Sequence, residues 1–163
     1  MKQMDAQAVL ADMLRANADD PSWYPPFKEA VQDLSEAEAL WKPGEQTHSI
    51  AELMRHLLYW NETWQIRYLE QNIGAVPPVA NNASTFVMYG DIPLPELKQR
   101  LLDTLLKWQD LLPVHPLEAE AEGLGGAWWQ VAGNVASHNT YHIGQIVLLR
   151  KLWETTARLP GSR

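Results

Sequence analysis

The amino-acid sequence predicts an all-α protein, a single four-helix bundle. Three observations carry that expectation. Four stretches repeat apolar residues at the three- and four-residue spacing of an amphipathic helix. Two Ser-x-x-Glu capping boxes, Ser35-Glu-Ala-Glu38 and Ser49-Ile-Ala-Glu52, mark where helices begin. The connection over residues 73–93 is long enough to travel the length of a bundle, because extended chain covers about 3.3 Å per residue and helix about 1.5 Å. The 163 residues suit one domain around one core.

The first helix is expected from Met4 to Ala18, with Val9, Leu10, Met13 and Leu14 on its apolar face and Asn17-Ala18-Asp19-Asp20-Pro21 as its stop. After an irregular Ser22-Trp-Tyr-Pro-Pro, Phe27, Val31 and Leu34 return to helical spacing as a second piece of the same arm. The first capping box opens a short turn that ends at Lys42-Pro43-Gly44. The second long helix runs from Ser49 to about Gln71, with Ile50, Leu53, Met54, Leu57, Trp64 and Tyr68 as its stripe and His56 at the stripe's edge. Residues 73–93 contain Pro77-Pro78, Asn81-Asn82 and Gly90 and read as a crossover, which lets helices two and three run parallel. Connections this long are uncommon unless they have a job.

The third helix opens at Leu94-Pro95-Glu96, since Pro is tolerated in a first turn. Its stripe of Leu94, Leu97, Leu101, Leu105, Trp108 and Leu112 holds no metal ligand, and Pro113 and Pro116 stop it. Residues 113–126 form a second long loop. The fourth helix spans Ala127 to about Thr155, with Val131, Val135, Leu149 and Leu152 on its apolar face. The tail from Ala157 to Arg163 is expected to fray.

Composition excludes several kinds of function. There is no cysteine, so disulfides, thiolate metal sites and cysteine nucleophiles are impossible. The formal net charge is −7 and no Lys/Arg stripe appears, which argues against nucleic acid as a partner. No apolar signal core or membrane-length apolar run is visible, so a cytoplasmic protein with no membrane partner is the expectation. Eight Trp against two Phe place many indoles at pocket walls or core edges, where the N–H finds a partner.

The chemistry concentrates in Asn134-Val-Ala-Ser-His138-Asn-Thr-Tyr-His142-Ile-Gly-Gln145. His138 and His142 share one helix face, with Cβ atoms about 5–6 Å apart, close enough to hold one metal ion. Asn134 and Gln145 fall on the same face, amid apolar positions. Polar groups buried there are costly unless hydrogen-bonded or ligated. Neutral imidazole suits zinc, nickel, copper or iron, and three His with an open position is the pattern of a catalytic site. His56 is a candidate third ligand. His48 precedes the Ser49 cap and His115 lies between prolines, so both read as surface residues. Glu52 is explained by its capping box, with ligation a minor option. Gln145 and Asn134 read either as hydrogen-bond partners of a ligand His or as ordinary buried amides. Trp60, Trp64, Tyr141 and Trp128 are candidates for the pocket wall or simply for core. No His-Glu-x-x-His motif supplies a neighbouring base.

The run Ser-His138-Asn-Thr-Tyr-His142-Ile-Gly-Gln145-Ile resembles the last-helix signature of the DinB-like, or YfiT-like, superfamily of four-helix proteins. His48-Ser-Ile-Ala-Glu-Leu-Met-Arg-His56-Leu-Leu-Tyr-Trp60 is similar to that family's second-helix motif. Asp20-Pro-Ser-Trp-Tyr and Ala37-Glu-Ala-Leu-Trp-Lys-Pro43 resemble its N-terminal arm more weakly. The resemblance implies an up-down-down-up bundle, with His56, His138 and His142 as ligands to a divalent metal, most often nickel or zinc. It implies a homodimer acting on a small-molecule substrate. Characterised members include thiol transferases that use bacillithiol or mycothiol and a mycothiol-dependent maleylpyruvate isomerase.

Three functions follow as expectations. The first is a metal-dependent transferase that directs a low-molecular-weight thiol onto a small electrophile. The second is a hydrolase using a metal-bound water. The third is a non-catalytic dimeric stress or binding protein.

Overall fold

Asp5 caps the first helix by accepting from the Gln7 backbone N–H, and α1 runs Ala6–Ala18. The computed structural model describes residues 5–157. Met4, the expected start of α1, and the tail after Ala157 lie outside the described residues. α1 buries Leu10, Leu14, Asn17 and Ala18, whereas Val9 and Met13 stay more than a third exposed. Its inward face is therefore rotated from the one that spacing alone picks out. The arm continues through α2 (Phe27–Ala30) and α3 (Glu36–Leu40).

The capping box at α3 is only half formed. Ser35 Oγ accepts from the Glu38 N–H, but the Glu38 carboxylate accepts from Arg150 Nε at 2.9 Å. A charge-assisted bond to a guanidinium outcompetes a neutral backbone N–H. The second box, before α4 (Ile50–Leu69), is complete: Ser49 Oγ accepts from Glu52 N, and Glu52 Oε2 accepts from Ser49 N.

The 73–93 connection carries two 3-10 turns, Ile73–Ala75 and Asn82–Phe86. Its far end is fastened where Tyr89 OH and the Arg100 guanidinium both donate to the Glu62 carboxylate. α5 follows (Leu94–Leu111) and buries Leu97, Leu101, Leu105 and Trp108, as its stripe predicts. Residues 113–126 are not wholly irregular. Glu120–Ala121 (β1) pairs antiparallel with Gly126–Ala127 (β2) in a small hairpin, and Gly123 takes a left-handed φ of 87° between them. α6 (Trp128–Ala157) is the longest helix.

α1 packs on α5 and α6, and α4 packs on the same two. Contacts along α4 and α5 climb together: Glu62 meets Arg100, Gln65 Nε2 donates to Thr104 O, and Tyr68 OH donates to Leu112 O. That order is the order of two parallel helices. Among the described residues no helix is long and apolar enough to cross a membrane.

Two buried amides hold the seams between helices. Asn61 Nδ2 donates to Leu57 O and Asn139 Oδ1, both at 2.8 Å, while its Oδ1 accepts from Trp108 Nε1 at 2.9 Å. This one side chain joins α4, α5 and α6. Asn17 does the same for α1 and α6: it donates to Ala136 O and accepts from Tyr24 and Thr140 hydroxyls, each at 2.8 Å. Leu152, expected on the buried face of α6, is 40 % exposed because it lies near the end of the helix, past the buried Leu149.

Candidate metal centre

His56 lies in the middle of α4 and is 3 % exposed; His142, on α6, is 7 % exposed. His138 sits one turn before His142 and is half-buried. The two helices turn all three Nε2 atoms toward one point. His56 Nε2 is 3.1 Å from His138 Nε2, and His142 Nε2 is 3.1 Å from the same atom. The three donor atoms lie within 4.8 Å of one another.

The other ring nitrogens decide what those Nε2 atoms carry. Thr85 Oγ1 donates its proton to Asn82 O at 2.7 Å, so it can only accept from His56 Nδ1, 2.6 Å away. His56 is therefore protonated at Nδ1 and presents a lone pair at Nε2. Gln145 Oε1, 2.6 Å from His142 Nδ1, imposes the same tautomer there. At most one proton, on His138, then lies among three converging Nε2 atoms.

Adding protons is strongly opposed. Burial, followed by the neighbouring His142, His138 and His48, pushes His56 down to about 3. Burial and then His142 push His138 down to about 4. Burial also lowers His142, against the raising effect of its bond to Gln145. The cluster is neutral at pH 7, which is the ligating form.

This donor set fits a divalent cation. Two of the three nitrogen–nitrogen separations are 3.1 Å and all lie within 4.8 Å, the close convergence that one small ion shared by three imidazoles would need. A cation there would satisfy lone pairs that hydrogen bonds alone leave facing one another.

The surroundings come from segments far apart in the chain. Phe86 stacks on His56 with centroids 4.0 Å apart, and His48 stacks on the other side of Phe86 at 3.7 Å. His48 is otherwise a half-exposed residue beside Glu52. Glu52 itself bonds Ser49 and Lys42 and is outside the cluster. All three imidazoles line a cavity of about 790 Å³, with Trp60, Trp64 and Tyr141 on its walls.

Two expectations change here, those for Asn134 and His115, and Trp128 takes the core alternative of its two readings. Trp128 is fully buried in the core against Tyr68 and does not line the cavity. Asn134 is exposed at the cavity rim, because the polar face of α6 opens there into the cavity and not into packed core. His115, expected at the surface, is half-buried, with Nε2 3.0 Å from Leu69 O. Periodicity did not find Thr85 and Phe86, which sit on an irregular connection; its unusual length was the one signal.

A helical protein whose two longest described helices join three neutral imidazoles beside a cavity defines a class: a three-histidine site that can hold a divalent metal ion. Residues 24–146 match the DinB superfamily, and the chain belongs to that superfamily. The matched span contains His56, His138 and His142. No curated protein and no solved structure matches the chain.

Proposed function

We propose that the protein is a metal-dependent transferase. His56, His138 and His142 hold a divalent cation, zinc or nickel, and the cavity receives a low-molecular-weight thiol and a small electrophile. The observation that carries this reading is the donor geometry: Nε2 lone pairs preset by Thr85 and Gln145 and turned toward one point beside a cavity. The ascending contacts of α4 with α5 support an up-down-down-up route for the four long helices.

A cation held by His56, His138 and His142 would supply Lewis acidity, which lowers the pKa of a thiol and favours loss of its proton to solvent. The protein's own residues do the rest. The Nδ1–H bonds to Thr85 and Gln145 fix the ring orientations and raise the basicity of the Nε2 atoms. The aromatic walls exclude water from the sulfur and hold the electrophile within reach. The sulfur lone pair forms the new bond to carbon while the leaving group departs with the old pair, so no oxidant or reductant is needed. Hydrolysis is the second reading, and one observation weighs against it. Among the described residues no Asp or Glu lines the cavity, so no carboxylate there stands ready to take a proton from water.

The test is elemental analysis of purified protein beside His56→Ala and His142→Ala, followed by turnover of thiols with an electrophilic acceptor. The expected result is one metal per chain, its loss in both variants, and a metal-dependent rate. Equal metal content in the variants and the parent overturns the site. A loaded protein inert toward every thiol, yet cleaving esters, overturns the transferase reading in favour of the hydrolase.

A further inference from the structure

The cavity beside the imidazoles is large enough for a cofactor-sized ligand, at about 790 Å³. Its chemistry is unusual in one respect: among the described residues no Asp, Glu, Lys or Arg lines it. Apart from the histidines and the indole N–H groups, its polar side chains are the neutral amides of Asn61, Asn82, Gln130 and Asn134 and the Tyr141 hydroxyl. Trp60 and Trp64 stand one helical turn apart on α4, and both face the cavity. Each is held in place. Trp60 Nε1 donates to Asn82 Oδ1 at 3.2 Å, and the Arg67 guanidinium lies 4.7 Å from the Trp64 ring centroid. Arg67 is not among the cavity's lining residues, so its charge serves the indole and not a ligand.

Resting on the metal-dependent reading above, we propose that this site selects ligands with one anionic donor atom at the imidazole end and an uncharged aromatic body lying along Trp60 and Trp64. Ligands whose body carries carboxylates are rejected. Three neutral imidazoles leave the charge of a divalent cation uncompensated by protein, which favours a single anion at that end. Along the Trp60 and Trp64 walls a carboxylate would give up part of its hydration, and the described lining residues offer it no cation. The net charge of −7 offers it no long-range attraction either. A flat apolar body gains the indole faces, where stacking is effective. The selection therefore separates thiols by the charge of what carries the sulfur.

The experiment uses cobalt(II)-loaded protein titrated with three thiols: benzyl mercaptan, 4-(mercaptomethyl)benzoate and the methyl ester of that acid. All share the sulfur and the ring, and the ester matches the acid in size. Binding is read from the sulfur-to-cobalt charge-transfer band and from tryptophan quenching. Benzyl mercaptan and the ester are expected to bind within a few-fold of each other, and the acid about a hundredfold more weakly. Trp64→Leu is expected to weaken benzyl mercaptan about tenfold while leaving ethanethiol within about twofold. An acid that binds as well as its ester overturns the selection and leaves thiol binding intact. An ester as weak as the acid means size is being read, which also overturns it. If ligand-field bands report a loaded site but no thiol binds, the transferase reading fails together with the selection. If no cobalt bands appear, the metal site itself fails.

Discussion

Replacing Thr85 by Val probes whether the His56 lone pair is set by its neighbour. The two side chains are nearly equal in volume and Thr85 is fully buried, so the change keeps the packing and deletes one oxygen with its two bonds, to His56 and to Asn82 O. That oxygen accepts from His56 Nδ1 at 2.6 Å. Without it the imidazole has two choices. It keeps its Nδ1–H buried and unpaired, at a cost of about 1–3 kcal/mol. Or it moves the proton to Nε2 and withdraws the lone pair from the cluster. Both routes weaken the site, and loss of such a partner typically lowers metal affinity about 10–100-fold, or roughly 1.4–2.7 kcal/mol. Competition of zinc-loaded protein with a coloured chelator measures the affinity, and nitrogen-15 chemical shifts of the metal-free protein report the His56 tautomer. Thr85→Ser keeps the oxygen and is expected to stay within about threefold of the parent. A Thr85→Val protein with parental zinc affinity and an unchanged tautomer would refute the assignment of Thr85 as the residue that positions His56.

Three further outcomes are expected. Asn61→Leu strands Trp108 Nε1 and the Asn139 amide, two buried groups at about 1–3 kcal/mol each, so urea unfolding of the metal-free protein should lose about 2–6 kcal/mol; a loss below about 1 kcal/mol would mean water replaces the amide. Metal affinity should change less than about tenfold between pH 7.5 and 5.5, because His56 and His138 are held at about 3 and about 4 and protons hardly compete in that range; three exposed imidazoles near 6.5 would lose roughly a thousandfold over the same interval. Stability of the metal-free protein should fall as pH drops below about 6.5. The unfolded chain protonates these histidines there while the fold resists it, so unfolding takes up protons; a flat stability from pH 6.5 to 4.5 contradicts the neutral buried cluster.

The parts of the molecule legible from sequence are those where a periodic pattern meets a physical conflict. The α5 stripe is nearly pure leucine at helical spacing, and Leu97, Leu101, Leu105 and Trp108 are buried as it predicts, with Leu94 at the helix start only partly so. His138 and His142 stand out because imidazoles interrupt an apolar face at i, i+4. His56 needed more than periodicity, since a single histidine at the edge of a stripe is common in cores; the likeness of its surrounding motif supplied the rest. Thr85 and Phe86 were beyond reach, because residues on an irregular connection share no repeat that says which way they face. Asn61 and Asn139 escaped for a different reason. Each reads as an ordinary polar position, and only their meeting across two helices, 78 residues apart in sequence, turns them into a buried hub.

That hub bears on what a bound metal would do for the fold. Asn139 is the immediate neighbour of His138, and Asn61 lies five residues beyond His56, so the α4–α6 seam is closed by amide hydrogen bonds beside the imidazoles themselves. Thr85 and Gln145 set the His56 and His142 tautomers through bonds that need no cation. The site is thus built by the bundle, unlike a small metal-nucleated domain that unfolds without its ion. A cation binding to so prepared a site adds stability only by mass action, about 2.7 kcal/mol at a hundredfold excess over Kd. Chelation should accordingly lower Tm by about 5–10 °C and leave a cooperative transition. Preorganisation would also serve the chemistry: donor atoms already converged beside the cavity would need little rearrangement to take up a cation.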